Sequence, residues 1–169
     1  MSLGLLTRYG LTRAPVGGGG VSYFIEAFGT LSANSGYQQV GVEYQTVGAL
    51  TLAGIRIYLG ANSADETLRL WRSSDTTVLA TITGVDGVAD TWVEAMFDTP
   101  VELAAGTNYV LTTQGAGAFS NRWYSGAKSS ATISSLVTFV RGRFGTGTGF
   151  PSTTNTNNMY GLVDGIVQT

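Results

Sequence analysis

The sequence contains no histidine and no cysteine among its 169 residues. The chain therefore has no imidazole base, no thiol nucleophile and no disulfide, and it lacks the usual ligands of zinc and haem. Most enzyme chemistries that sequence motifs reveal are excluded on this ground. We expect a protein without catalytic residues, bound metal or cofactor.

Charge is scarce as well. Charged residues make up 12% of the chain, against about 25% in typical globular proteins. Lys128 is the one lysine, and the arginines are scattered, whereas nucleic-acid binding requires a dense basic stripe. No stretch approaches the roughly 20 apolar residues of a membrane helix, and Arg8 and Arg13 interrupt any signal-peptide core. We expect neither a nucleic-acid nor a membrane partner.

Glycine, by contrast, is abundant, and its densest run separates the first twenty residues from the rest. Gly17 to Gly20 predict a flexible joint. The segment before it is either a disordered tail or an anchor that becomes ordered on a partner. We predict an attachment arm over 1–20, which gains hydrogen bonds by strand addition at an open sheet edge, and a separate domain over 21–169. The apolar residues of the arm are Leu3, Leu5, Leu6, Tyr9, Leu11 and Val16.

From Val21 onward, apolar and polar residues alternate with the period of β-strands. The predicted strands are 40–46, 50–59, 68–71, 78–83, 92–97, 101–103, 108–113, 136–140 and 160–167. Turn signals separate them at 60–62, 73–75, 86–87, 98–100 and 105–107. This pattern predicts an all-β, antiparallel sandwich. Helix is expected only in the arm and in a turn near Ala64–Thr67.

Five runs between Gln39 and Tyr124 resemble a known family. They are Gly41–Tyr44, Gly54–Tyr58, Leu70–Trp71, Leu79–Thr81 and Phe97–Tyr109. The stretch resembles a β-sandwich module of unknown function that recurs in bacterial surface and secreted proteins, often beside sugar-active or Ig-like domains. The resemblance implies a jelly-roll-like sandwich without catalytic residues.

The run Phe97–Tyr109 is the most specific of the five, and it also has a mechanical interpretation. Pro100 is expected at a sheet edge or at the start of a strand. Gly106 is expected to supply a turn. Tyr109 is expected to pack inward.

The segment 141–158 reads as a long loop, which is unusual in a compact domain. Phe144 and Phe150 within it either fold back onto the sandwich or face a partner subunit. Because the loop has few charges and two aromatic rings to bury, we predict a homo-oligomer, with a trimer favoured.

The other candidate sites are weak. The acidic residues Asp65, Glu66, Asp86, Asp90, Glu94, Asp98 and Glu102 are expected at turns or on outward strand faces, where they serve solubility, and not as a glycosidase pair. The loop from Asp86 to Asp90 lacks the spacing of a dedicated calcium site and reads as a turn. Gly145, Gly147 and Gly149 lack the helix that follows a phosphate loop.

A glycan site built from aromatic residues is harder to dismiss, because such sites stack sugars on aromatic rings. Most aromatic residues in strands, however, belong to the core. The best candidates for glycan contact are Asn121, Arg122, Trp123 and Tyr124.

These features together favour a structural protein of a tailed-phage virion, assembled in the host cytoplasm. It is a capsid decoration protein or a small tail, collar or fibre component. Its partners are other virion proteins, which it meets through its arm and its sheet edges, and host glycan is a further possible ligand. The alternative is a carbohydrate-binding module of a bacterial surface or secreted protein.

Overall fold

The computed structural model describes residues 20–29, 31–34, 37–115, 122–125, 131–159 and 161–169, and it gives backbone alone for 32–34 and 122–125. All regular elements in these ranges are strands, which confirms the all-β prediction. No helix in these ranges has the length and apolar character needed to cross a membrane. The strands are β1 (Val21–Tyr23), β2 (Ile25–Phe28), β3 (Leu31–Asn34), β4 (Gln39–Thr46), β5 (Leu50–Leu59), β6 (Ser63–Arg72), β7 (Thr77–Gly87), β8 (Thr91–Leu103), β9 (Asn108–Gln114), β10 (Arg122–Ser125), β11 (Ala131–Ile133), β12 (Val137–Gly145), β13 (Thr153–Asn155) and β14 (Leu162–Gln168).

Two antiparallel sheets form the sandwich. One has four strands in the order β1-β14-β5-β8, and the other has six in the order β13-β12-β4-β9-β6-β7. Two short antiparallel ribbons, β2–β11 and β3–β10, accompany them. The antiparallel β-sandwich predicted from the sequence is thereby confirmed.

The core lies between the two sheets and follows the alternation of the strands. Val42 and Tyr44 of β4 and Ile55 and Ile57 of β5 belong to one buried cluster. The Tyr44 hydroxyl donates a hydrogen bond to the Val163 carbonyl at 3.2 Å, which joins the six-stranded sheet to the four-stranded one. The intervening residues of each strand point to an outer face, and both outer faces carry charged groups described below.

The segment 91–103 is one strand, not the two that were predicted. β8 runs through Pro100 without a turn. Its register with β5 shifts here: Leu52 pairs with Val101 and Gly54 pairs with Met96, so the bulged residues 97–100 lie opposite Ala53 alone. A bulge on an edge strand tolerates proline, because no second neighbouring strand needs its missing N–H.

The turn after β8 is as predicted. Gly106 has φ of +66°, the left-handed conformation that favours glycine. Tyr109 is buried, and its hydroxyl accepts a hydrogen bond from the backbone N–H of Ala104 at 3.0 Å. The tyrosine thus fastens the turn to the start of β9, as in the tyrosine corner of Greek-key sandwiches.

Three local predictions were wrong, each because strand pairing overrides local sequence. Ala64–Thr67 lies in β6 and pairs with β7, so it forms no helical turn. Asp86 and Gly87 end β7, where Gly87 pairs with Ser63, and the turn follows them. The loop 141–158 is shorter than predicted, because its ends form β12 and β13, which pair with each other.

Candidate functional site

The predicted arm and part of the predicted glycan site lie outside the described residues. Residues 1–19 and Asn121 are not described, and for Arg122, Trp123 and Tyr124 the structure gives the backbone of β10 alone. β10 pairs with β3 and lies close to β5 and β14. The candidate glycan strand is therefore next to the four-stranded sheet.

The two phenylalanines of the predicted subunit interface fold back onto their own sheet. The ring of Phe144 lies 4.4 Å from that of Tyr37. The ring of Phe150 lies 5.6 Å from that of Trp71, and the guanidinium carbon of Arg143 is 4.6 Å from its centroid. Both rings remain partly exposed. A partner subunit at these exposed parts stays a prediction.

A buried ion pair between Arg56 and Asp164 lies on the four-stranded sheet. The Arg56 guanidinium is 2.7 Å from Asp164 Oδ2, and it also donates to the Ile25 carbonyl at 2.6 Å. Asp164 Oδ1 accepts the backbone N–H groups of Phe24 and Ile25, both at 3.0 Å. The pair therefore fastens the bend between β1 and β2 to the sheet. Burial raises the pKa of Asp164 to about 6, although Arg56 and the backbone donors pull it down.

Sequence reasoning missed this pair. Asp164 is the one charged residue in the apolar run of β14, and a lone carboxylate in such a run is a usable signal, since buried charges are nearly always paired. The sequence did not show which residue pairs with Asp164, because Arg56 lies more than a hundred residues earlier in the chain.

Aromatic rings enclose Arg56 on the same outer face. Its guanidinium carbon lies 3.5 Å from the ring centroid of Tyr23 and 4.1 Å from that of Trp92. The Tyr23 hydroxyl donates to Glu94 at 2.7 Å, and this hydrogen bond is the main cause of a raised pKa of Tyr23. Such stacking stabilises a cation that is largely removed from water.

Two further rings extend this surface, which we call the aromatic face. Phe28 and Tyr58 lie 5.2 Å apart, and Trp92 is 5.6 Å from Tyr58 and 6.0 Å from Phe28. All three rings are partly exposed and meet edge to face. The aromatic face comprises Tyr23, Phe28, Arg56, Tyr58, Trp92 and Glu94.

The opposite outer face carries a second buried carboxylate, Glu43 on β4. It accepts hydrogen bonds from Arg143 at 2.8 Å, Ser73 at 2.8 Å and Asn108 at 3.0 Å. Arg141 Nε is 3.1 Å away as an ion pair without hydrogen-bond alignment. Burial pushes the pKa of Glu43 upward, but these hydrogen bonds outweigh it and hold the pKa below its ordinary value.

Glu66 is buried, which contradicts its predicted place at the surface. It shares the inward face of β6 with Leu68 and Leu70, and Thr113 donates to its carboxylate at 2.6 Å. Strand alternation sets this direction whatever the polarity of the side chain.

Asp86 lies near the end of β7, and its carboxylate contacts the neighbouring strand β6. Asp86 accepts the backbone N–H of Asp65 at 3.3 Å. Within the ranges that the structure describes, no three acidic side chains come close enough to hold a metal ion.

As far as the described residues go, one side of the sandwich is open, at the edge formed by β7 and β8. These two strands are consecutive in the chain, contact each other and stand last in their sheets. Among the described strands β7 pairs with β6 alone, and β8 pairs with β5 alone. Partly exposed apolar side chains that pack on the core line this open side: Leu79, Ala80, Ile82, Val93, Ala95 and Val101.

Comparison with known proteins agrees with this architecture. No curated protein matches the chain. A family whose description is "Domain of unknown function (DUF4082)" matches residues 28–162. The match covers most of the chain and confirms the resemblance to a module of unknown function, here with β-sandwich architecture. The chain therefore belongs to the DUF4082 family.

Proposed function

We propose that the chain is a structural protein of a phage virion, a capsid decoration protein or a small tail, collar or fibre component, which attaches through its N-terminal arm. The observation that supports this most is where the sandwich begins. The Gly20 carbonyl accepts hydrogen bonds from the backbone N–H of Thr169 at 3.0 Å and from its hydroxyl at 2.6 Å. Val21 then pairs with Gln168. The first strand of the four-stranded sheet thus begins at Val21. We propose that the residues before it bind a partner.

The arrangement of charge also suits a structural role. Arg56–Asp164 and Glu43–Arg143 each join segments far apart in the chain. A buried ion pair adds little net stability over apolar residues of the same volume, and we propose that these two pairs hold one specific arrangement of the sheets. A rigid body with a separate attachment segment is the combination that repeated assembly on a particle requires.

Deletion of residues 1–19 tests the proposal, with Gly20 retained because it bonds to Thr169. The truncated chain should melt within about 2 °C of the full chain, since a loss of less than 0.5 kcal/mol moves the midpoint of a domain this size by roughly that amount. It should fail to enter virions when it is supplied to particles that lack the protein. Full occupancy by the truncated chain, or its unfolding, would contradict the proposal.

A second candidate function is carbohydrate binding, favoured by the aromatic face and by the position of β10 close to β5 and β14. Partly exposed rings beside Glu94 suit a sugar, which packs its apolar face on an aromatic ring and donates its hydroxyls to a carboxylate. Trp123→Ala should abolish binding on a glycan array while the melting temperature is unchanged. Val47→Ala, at an exposed turn distant in sequence, is the matched control. Equal glycan binding by both variants would exclude Trp123 as a contact, and no binding by the wild type would exclude this function.

A further inference from the structure

The two strands of the open side differ in how well they are protected against pairing. The edge of β8 carries Glu94, Asp98, Pro100 and Glu102, and charges and proline are the usual means of blocking an edge. The segment Thr77–Thr83 of β7 has no charge, no proline and no glycine, and consists of Thr, Val, Leu, Ala and Ile. β7 is therefore the edge suited to receive another strand.

The side chains of β7 indicate what that strand would look like. Ala80 and Ile82 lie opposite Leu70 and Leu68 and so face the core, and Leu79 lies at the bulge between Val78 and Ala80. All three remain partly exposed. A strand with one apolar face would cover them and would pair with the free backbone groups of β7.

The N-terminal arm has this pattern. Leu3, Leu5, Tyr9 and Leu11 recur at every second residue, interrupted only by Thr7, which places them on one face of an extended strand. Gly4, Arg8 and Gly10 occupy the other face, together with Leu6. Residues 3–11 extend over about 30 Å at 3.3 Å per residue, and Thr77–Thr83 over about 23 Å, so the arm is long enough to pair along the whole segment.

We infer that residues 3–11 of one copy add as a strand to the β7 edge of a second copy. This inference rests on the proposed function, since it takes residues 1–20 as an attachment arm, and it names the partner of that arm. The four apolar side chains cover Leu79, Ala80 and Ile82, and Arg8 points to water.

The position of Gly20 favours a second copy over the same copy. Gly20 precedes β1, which is the edge of the four-stranded sheet opposite β8. Three strand spacings and one sheet spacing separate β1 from β7, about 24 Å before the path goes round any side chain. Residues 12–19 span at most about 29 Å when fully extended. The same copy is reached only by a nearly straight linker, whereas a neighbouring copy imposes no such limit.

Exchange of this kind is head to tail, because the arm of one copy contacts the β7 edge of the next copy and not that copy's arm. Such contacts either close into a ring or continue into a filament. Closure after three copies gives the trimer that the sequence predicts.

Light scattering on the purified chain is the first test. The full chain should have three times the monomer mass, and the chain without residues 1–16 should fall to one third of that mass. A synthetic peptide of residues 2–12 should bind the truncated chain, and a peptide of the same composition with the alternation scrambled should not. A full chain that is monomeric, or a truncated chain that keeps the full mass, overturns the inference.

Cross-linking locates the contact, and the absence of native cysteine makes single thiols specific. Arg8→Cys and Thr81→Cys chains, whose changed side chains both point away from the core in the proposed pairing, are mixed and treated with a short bis-maleimide. A product joining the two variants supports exchange between copies, and Val47→Cys in place of Thr81→Cys should give none. Cross-linking confined to an Arg8→Cys, Thr81→Cys double variant within one chain shows the same-copy arrangement and overturns the inference. A monomer that still needs its arm to enter virions would refute the exchange of arms and leave the proposed function standing. A trimer that never enters virions would refute the proposed function and leave the exchange of arms standing.

Discussion

Each outer face of the sandwich holds one carboxylate that is removed from water, and each carboxylate is matched by arginine. Asp164 has no exposed surface, and Glu43 has almost none. Neither is close to its partner in sequence, so each ion pair closes a large loop of chain. The cost of removing one partner should therefore exceed that of removing any exposed pair.

Asp164→Asn keeps an oxygen for the backbone donors but leaves the Arg56 guanidinium unpaired and nearly buried. We expect a loss of about 3–5 kcal/mol in the free energy of unfolding by urea. The double variant Arg56→Met, Asp164→Asn should lose less than the single variant, because no buried charge is left alone. Asp75→Asn, which breaks an exposed pair with Arg72, should stay close to wild type. A double variant less stable than Asp164→Asn would refute this account.

The lowered pKa of Glu43 predicts a pH dependence. The unfolded carboxyl binds a proton below its ordinary value of 4.5, whereas the folded one resists protonation until lower pH. The stability that Glu43 contributes is therefore present above pH 4.5 and is lost as the pH falls through the folded pKa.

Glu43→Gln is the variant that measures this contribution, because it removes the charge and keeps the shape. The difference in unfolding free energy between wild type and Glu43→Gln should be positive at pH 7, about 1–3 kcal/mol as for hydrogen bonds to a charged group. It should shrink steadily below pH 4.5. A difference that stays constant down to pH 3 would show that the Glu43 charge contributes nothing. Comparing the two proteins cancels the opposite titration of Asp164, whose raised pKa adds stability as the pH falls.

Among the elements, the turn between β8 and β9 depends on a single backbone conformation. Gly106 has φ of +66°, and a side chain there finds open space but a strained backbone. Gly106→Ala should therefore destabilise the fold by about 1–2 kcal/mol, the cost of the left-handed region for an L-residue. Gly149→Ala is the matched control, because Gly149 also has open space around it but no positive φ. Thermal unfolding of both variants decides the point, and equal melting temperatures would argue against strain at Gly106.

At the scale of the whole domain, folding requires the C-terminal strand β14 as much as it requires the strands in the middle of the chain. β14 lies between β1 and β5, and its Leu162, Val163 and Val167 belong to the buried core cluster. A chain ending at residue 160 leaves β1 without a partner and leaves one edge of β5 unpaired. We expect it to show no cooperative thermal transition by circular dichroism, whereas a chain of residues 20–169 should unfold in one step with a β-type spectrum. A cooperative transition in the shorter chain would show that the six-stranded sheet folds independently.

The alternation of apolar and polar residues determined the class of fold, most of the strands and the inward Tyr109, because these features follow from the period of two within each segment. Alternation also carries the direction of Glu66, which we misassigned by giving polarity more weight than position. Pairing between distant segments decided the rest. β8 continues through Pro100 because it is an edge strand with a bulge. Arg56 and Asp164 pair because β5 and β14 are neighbours in the sheet, a relation between positions far apart in the chain that no local pattern encodes. The exposed edge of β7 likewise exists only once the order of strands in the sheet is set.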